Sequence, residues 1–371
     1  MGNIKICFVL SHFPQGGAER QVLELIKGLL VKNCDVTLML YQSDQIFYEE
    51  LKELDIKFIC NAKKTSSVKF VKWINNILFL RNNLKKESYN IIHTYLFFNG
   101  LVVRLFAPKK YFGKTVYSVR NSYESVSKLY YFIDKLLNKR AINIYNSKKS
   151  FQQLYAKPSI SVQKNNLVIY NGFDVKKFYR NTKIGSHVIT LGMVGRLTIQ
   201  KNQIQVLRVL KKIKNDSKRS FKLYLIGDND LDEAENIKKY INNNGLSEDV
   251  ILLDAQNNIE EYYRRFDIFI LSSLYEGCPN VLFEALLSKC LCIISKGSNS
   301  DLFIKDGFNG FQYDGTDKSL EEKILESIKL IGTGDANRVT ENGYNYAYSN
   351  FSLKKMVDNY IGVYNKILPF F

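Results

Sequence analysis

Val188-Ile189-Thr190-Leu191-Gly192-Met193-Val194-Gly195-Arg196 is the stretch that decides the fold. Seven uncharged, mostly apolar or β-branched residues stop at a glycine, which reads as a buried strand ending in a tight turn. The stretch restarts a pattern that has already run its course upstream. Strands read near residues 4–10, 35–41, 56–60, 90–95, 115–120, 143–146 and 167–170, with segments of helical period between them. After residue 194 they resume at Phe221–Ile226, Val250–Leu253, Ile268–Leu271 and 291–294. Short apolar strands alternating with helices indicate parallel sheets covered on both faces. The expectation is therefore an α/β chain of two Rossmann-like domains, residues 1–178 and 187–352, with the polar stretch 174–186 as the linker. The tail, 353–368, reads as a helix with Met356, Tyr360, Val363, Tyr364 and Ile367 on one face.

Composition bounds the function. With 371 residues, 46% hydrophobic and 24% charged, the chain is neither a disulfide-stapled mini-protein nor disordered over most of its length. Its formal charge is +17, and the excess is one-sided: residues 1–180 carry 29 Lys and Arg against 12 Asp and Glu, residues 181–371 carry 24 of each. A field of that sign attracts polyanions, whether nucleic acid, an anionic membrane surface or a phosphorylated substrate. Six cysteines without a CxxC pair, and only three histidines, predict reduced, mostly buried thiols, a cytoplasmic setting and no structural zinc. The expectation is also that the chain has no signal peptide and no spanning helix, since even the apolar stretch 278–295 contains Glu284 and Lys289. Membrane contact would then be peripheral.

Three segments carry residues suited to a sugar diphosphate. Gly16-Gly17-Ala18-Glu19-Arg20 follows the first strand and opens a helix, where paired glycines let backbone amides approach a phosphate, or simply form a tight turn. Gly195-Arg196-Leu197 with Lys201-Asn202 follows the restarted strand, so that Arg196 and Lys201 can converge on a diphosphate or stand as exposed surface charges. Glu276-Gly277-Cys278-Pro279-Asn280-Val281-Leu282-Phe283-Glu284 sets two carboxylates about a turn and a helix start; amides at Pro279–Val281 would face an anion while Glu276 and Glu284 accept from hydroxyls. His93, at a strand end, is either a site residue or a satisfied core histidine. Asp228-Asn229-Asp230 has the form of a metal-binding Asp-x-Asp, and the expectation is that it holds none.

These segments, with Tyr170-Asn171-Gly172-Phe173-Asp174 and Asp306-Gly307-Phe308-Asn309-Gly310, occur in the order found in retaining, family-4 glycosyltransferases of the GT-B fold, which the chain resembles over nearly its whole length. The resemblance implies two facing Rossmann-like domains with a cleft between them, the C-terminal helix 353–371 returning to the first. It implies a nucleotide-sugar donor, UDP-linked by preference and GDP-linked next, bound by Gly16, Gly17, Arg196, Lys201, Glu276, Pro279, Asn280, Val281 and Glu284. Arg196 and Lys201 would neutralise the diphosphate, Glu276 would contact the donor sugar and Glu284 the ribose; Glu276, Arg196 and Lys201 are the catalytic set, with no metal or other cofactor. Arg120 stands where many relatives carry His, so Arg120, Asn121 and His93 are placed on the acceptor side, Arg120 as an anchor rather than a base. Asp301 stands near a position where relatives often carry a carboxylate.

The basic half adds an expectation about the acceptor. Two segments, Lys63 to Lys86 and Lys128 to Arg140, interleave cations with apolar and aromatic residues and can lie on an anionic lipid surface or complete the domain core. The combined reading is transfer of a hexose or N-acetylhexosamine to a polyprenyl-diphosphate-linked or other lipid-linked saccharide at the inner face of the cytoplasmic membrane, in bacterial surface polysaccharide assembly, with no nucleic acid involved. An inactive GT-B partner subunit and a basic polyanion-binding protein are the alternatives.

Overall fold

The runs that are apolar end to end become the strands of two all-parallel sheets. The computed structural model describes residues 4–13, 16–42, 49–61, 69–120, 128–154, 165–180, 188–216, 220–228, 231–299 and 301–368. It divides into two compact units, residues 1–172 with 353–371, and residues 173–352.

In the first unit the strands are β1 (Lys5–Leu10), β2 (Asp35–Leu40), β3 (Lys57–Cys60), β4 (Ile91–Tyr95), β5 (Thr115–Val119), β6 (Ile142–Tyr145) and β7 (Asn166–Val168), in the order β3-β2-β1-β4-β5-β6-β7. Registers such as Ile6 opposite both Val36 and Ile91 put whole apolar strands side by side. On one face the helix Gly17–Val31 buries Val22, Leu25, Ile26 and Leu29, and the tail helix Leu353–Ile367 buries Met356, Val357, Tyr360, Val363 and Tyr364 in the same core. The two helices approach so closely at Gly28 that a Cβ there would overlap Val357. On the other face the helix Lys69–Lys86 contributes Leu80 and Leu84, and the helix Phe97–Phe106 contributes Val102 and Val103.

The second unit holds β8 (Ile189–Val194), β9 (Phe221–Ile226), β10 (Val250–Leu253), β11 (Ile268–Leu271), β12 (Leu291–Ser295) and β13 (Phe311–Tyr313), ordered β10-β9-β8-β11-β12-β13. Helices Gln203–Asp216 and Asp317–Leu330 pack Val206, Leu207, Leu210, Leu320 and Ile324 on one face. Elsewhere in the unit Phe283, Phe303 and Phe351 form an aromatic cluster, Phe283 and Phe351 stacked with centroids 3.7 Å apart. Part of the stretch read as linker is ordered in this unit. Asp174 caps the short helix Val175–Phe178, Phe178 is buried, and Arg180 donates to the carbonyl of Phe266 at 3.0 Å; residues 181–187 lie outside the described residues. Four of the six cysteines are buried, and Cys60 and Cys278 are half-buried.

Candidate active site

Strand order alone nominates where each sheet can hold a ligand. In the second sheet the chain winds outward from β8 to β10, then restarts on the other side at β11, so the carboxyl ends of β8 and β11 flank the topological switch point. Two loops meet there. After β8, Gly195 turns at φ +147°, and the loop lies so close over the end of β9 that a Cβ on Gly227 would overlap the Gly195 carbonyl. Hydrogen bonds from Gly195 N to Ile226 O and from Leu197 N to Asp228 O, each 2.9 Å, and the fully buried Leu197 pin it. After β11, the Ser272 hydroxyl donates to the Lys201 carbonyl at 2.7 Å, Leu274 N donates to Gln200 O at 2.8 Å, and Gln200 Nε2 donates to Tyr275 O at 2.9 Å. One backbone hydrogen bond and two from side chains thus stitch the loops together.

This bracing brings Lys201 Nζ to 2.5 Å from Glu276 Oε1, with the two side chains 17% and 11% exposed. Arg196, on the same loop as Lys201, is exposed, and its carbonyl accepts from Gln203 Nε2 at 3.0 Å. The site offers a cation beside a carboxylate and a second cation, Arg196, on the same loop, a set that can meet phosphate oxygens and sugar hydroxyls. Pro279 caps the helix Asn280–Leu287 and brings no polar side chain of its own to that end; Asn280 and Val281, in its first turn, are half-buried. Glu284 is only 8% exposed. Its neighbour Tyr263 is fully buried, and burial first, then the Glu284 carboxylate, holds the Tyr263 phenol well above its ordinary value. Asp301 is half-buried; burial, with the Asp301 carboxylate second, pushes the Tyr346 phenol up to about 12. The Asp306–Gly310 motif is a turn tied to its neighbours: Asp306 Oδ1 accepts from Gln312 N at 2.8 Å, Asn309 Oδ1 accepts from Lys305 N at 2.7 Å, and the Phe308 carbonyl accepts from Asn342 Nδ2 at 3.0 Å. Asp228 is exposed, whereas Asn229 and Asp230 lie outside the described residues.

In the first unit the switch point falls between β1 and β4. Gly16 caps the helix Gly17–Val31, and the Glu19 carboxylate folds back against it; at 7% exposure, burial raises the Glu19 carboxyl above its ordinary value. The chain's own carboxylate therefore lies against Gly16 at the start of this helix. His93 is a core histidine in this geometry, fully buried with Nδ1 2.7 Å from the Tyr364 hydroxyl and Nε2 2.9 Å from the Ser118 hydroxyl, so it offers an acceptor no exposed surface. Arg120 is half-buried: Nη2 donates to the Tyr360 hydroxyl at 2.9 Å, Nη1 donates to Asn171 Oδ1, and the guanidinium stands 5.3 Å from the centre of the Tyr95 ring. Asn121 lies outside the described residues. Sequence reasoning did not single out Ser11 or Asn99, and it read Tyr360 only as an apolar position of the tail helix. Ser11 follows β1 and donates to Asn99 Oδ1 at 2.5 Å, bridging the switch point, and next to it Leu96 is held at φ +67°, a conformation that strains a side-chain-bearing residue.

Residues 15–177 match the profile of Glycosyltransferase Family 4, and residues 174–346 match that of Glycosyl transferases group 1. The chain is 30% identical over 324 residues, 82% of its length and 84% of the relative's, to the N-acetylgalactosamine-N,N'-diacetylbacillosaminyl-diphospho-undecaprenol 4-alpha-N-acetylgalactosaminyltransferase of Campylobacter jejuni. It belongs to this glycosyltransferase family. The glycosyltransferase is also 25% identical over 384 residues, 97% of this chain and 96% of the relative, to the UDP-Gal:alpha-D-GlcNAc-diphosphoundecaprenol alpha-1,3-galactosyltransferase of Escherichia coli. Its GT-B fold is shared with a glycosyltransferase from Rickettsia africae (TM-score 0.82, 20% identity, 99% of each chain). Anabaena HepE, solved in complex with UDP and glucose, has the same fold (TM-score 0.80, 18% identity, 98% of this chain and 100% of that one). All the donor-side candidates from Arg196 to Glu284 fall inside the group 1 match.

Proposed function

We propose that this glycosyltransferase moves a hexose or N-acetylhexosamine from a UDP-sugar, or next a GDP-sugar, to a lipid-linked saccharide in bacterial surface polysaccharide assembly, with retention at the anomeric carbon and without a metal. The observation that carries the reading is the Lys201–Glu276 pair, on the loop that also carries Arg196, at the switch point of the second sheet. As the anomeric C–O bond breaks, negative charge gathers on the departing diphosphate, and Arg196 and Lys201 are the groups assigned to receive it. Two cations carried on a braced loop are assigned the charge a metal would otherwise supply. Glu276 is assigned to the donor sugar's hydroxyls; a carboxylate already held by an ammonium is a poor nucleophile, so no covalent role is given to it. Glu284 and the turn Pro279–Val281 complete the donor side, and Arg120 anchors the acceptor. The lipid-linked acceptor is supported by the two undecaprenol-linked relatives, and an anionic membrane surface by the excess of 29 basic over 12 acidic residues in residues 1–180. No helix among the described residues is long and apolar enough to cross a membrane.

The test is transfer from radiolabelled UDP- and GDP-sugars to GlcNAc-diphosphoundecaprenol and related lipid-linked saccharides, with and without EDTA, and the anomeric configuration of the product read by NMR. Transfer from one nucleotide class that survives EDTA and is lost in Lys201→Ala is expected. Inversion, or an absolute need for a divalent ion, refutes the mechanism. Donor binding without turnover on any acceptor points to an inactive partner subunit, and salt-sensitive polyanion binding without donor binding to a different function altogether.

A further inference from the structure

A helix on a domain surface normally turns its apolar stripe inward. The helix Lys128–Leu136 does the reverse. Leu129, Phe132 and Leu136, at positions i, i+3 and i+7, are 65%, 58% and 65% exposed, while Tyr130 leans on the Phe97 ring with centroids 5.0 Å apart. What faces inward is Asp134, 2% exposed, paired with the buried guanidinium of Arg104. Arg104 in turn donates from Nε to the Gly100 carbonyl at 2.9 Å and lies 4.2 Å from the centre of the Tyr117 ring. Rolling the helix to hide its leucines would carry Asp134 to solvent and leave a cation alone in the core, so the buried pair fixes which face looks out.

The outward face has a charge of one sign at its edges. From Lys128 to Arg140 the chain carries Lys128, Lys135, Lys139 and Arg140, and its one carboxylate is the buried Asp134. Lys135, Lys139 and Arg140 are exposed, and the Arg140 guanidinium stands 5.7 Å from the centre of the Phe112 ring, itself exposed. An apolar stripe bordered by cations complements hydrocarbon beneath anionic headgroups. A second copy of this chain would bring the same positive border against itself. The other basic helix, Lys69–Lys86, exposes Val71, Ile74 and Leu78 at the same spacing but less fully, at 42%, 38% and 52%, and it also buries Leu80 and Leu84 and sets Trp73 edge-on against Phe106, so the domain core takes part of its apolar face. Its residues 62–68 lie outside the described residues.

We propose that the outward stripe Leu129, Phe132 and Leu136 enters the interface of an anionic phospholipid bilayer and docks the first unit there. This rests on the membrane reading above and names the element that carries it out. The experiment is flotation of the full chain with vesicles of phosphatidylcholine, with or without phosphatidylglycerol, comparing wild type with Leu129→Ser/Phe132→Ser/Leu136→Ser and with Val71→Ser/Leu78→Ser on the other helix. The expected result is binding that requires phosphatidylglycerol, a loss of about tenfold or more in the triple variant, and a change of about twofold or less in the double variant. Wild type that fails to bind anionic vesicles overturns the membrane reading itself. Wild type that binds while a folded triple variant binds equally overturns only the docking helix, as does a triple variant whose oligomeric state changes while its vesicle binding does not. An independent readout is Phe132→Trp in a Trp73→Phe background: its emission shifts to the blue with anionic vesicles, and an unchanged spectrum on vesicle-bound protein overturns the proposal.

Discussion

Removing one side of the Arg104–Asp134 pair should unfold the first unit far more easily than removing both. Both side chains are buried, at 0% and 2% exposure, so Asp134→Ala leaves a guanidinium charge in the core beside the Gly100 carbonyl and the Tyr117 ring. Breaking a buried pair from one side costs about 3–5 kcal/mol, whereas replacing it with apolar groups of similar volume is close to neutral. At a urea m-value of about 2–3 kcal/mol per molar for a unit of this size, the single variant should lose about 1–2.5 M in its midpoint. Arg104→Met/Asp134→Leu should stay within about 0.5 M of the parent. The assay is built into the chain, because the single tryptophan, Trp73, packs against Phe106, on the helix that carries Arg104, and its emission follows the first unit alone. A single variant that loses only a few tenths of a molar, or a double variant as unstable as the sum of its singles, would refute the account of the pair as the lock on helix orientation.

Three further outcomes follow from the geometry. Lys201→Ala and Glu276→Gln should each lower transfer by about 10²–10³-fold, read as kcat/KM, while leaving the fold intact, since the braced loops and not the pair hold the backbone. Gly28→Ala should destabilise the first unit although alanine favours a helix by about 1 kcal/mol, because its methyl overlaps Val357; adding the same change to Val357→Ala should instead stabilise, and thermal melts of the four proteins decide it. Burial, and then Arg120, hold the His93 imidazole well below its ordinary 6.5, so it is neutral when folded but takes a proton once unfolded. The stability this confers is whole above pH 6.5 and drains away as pH falls below it, by about 1.4 kcal/mol per pH unit, and His93→Gln should flatten that slope by one proton in urea titrations.

The architecture was legible because buried parallel strands are apolar throughout, and an uncharged run such as Ile6–Leu10 or 189–194 cannot be read as anything solvated. Phe311–Tyr313 was missed for the opposite reason: three residues at a sheet edge carry no period. The polar stretch after Asp174 reads as a linker because Phe178, its buried ring, stands among charges, and the contacts of its polar residues, such as Arg180 with the Phe266 carbonyl, leave no mark in the sequence. Of the site, Lys201 and Glu276 were legible as residues, and their contact was not, since it depends on bracing between loops 75 positions apart. Tyr360 was read only as an apolar position of the tail helix, and nothing local could show that its hydroxyl reaches Arg120. The helix Lys128–Leu136 is the instructive case. Its periodicity is that of a helix with its stripe turned inward, and only a distant arginine reverses it.

The tail helix also fixes an order of events during synthesis. Residues 173–352 form an uninterrupted unit whose contacts all exist once that stretch has emerged. The first unit has to wait, because Met356, Val357, Tyr360, Val363 and Tyr364 belong to its core and the Tyr364 hydroxyl closes the hydrogen bond to His93. The strands of the first unit are therefore made before the second unit but completed after it, and the nascent chain carries an open apolar face beside Gly28 until residues 353–367 have emerged. A message cut short near codon 352 would yield a complete second unit attached to a first that cannot close, marking the product for proteolysis.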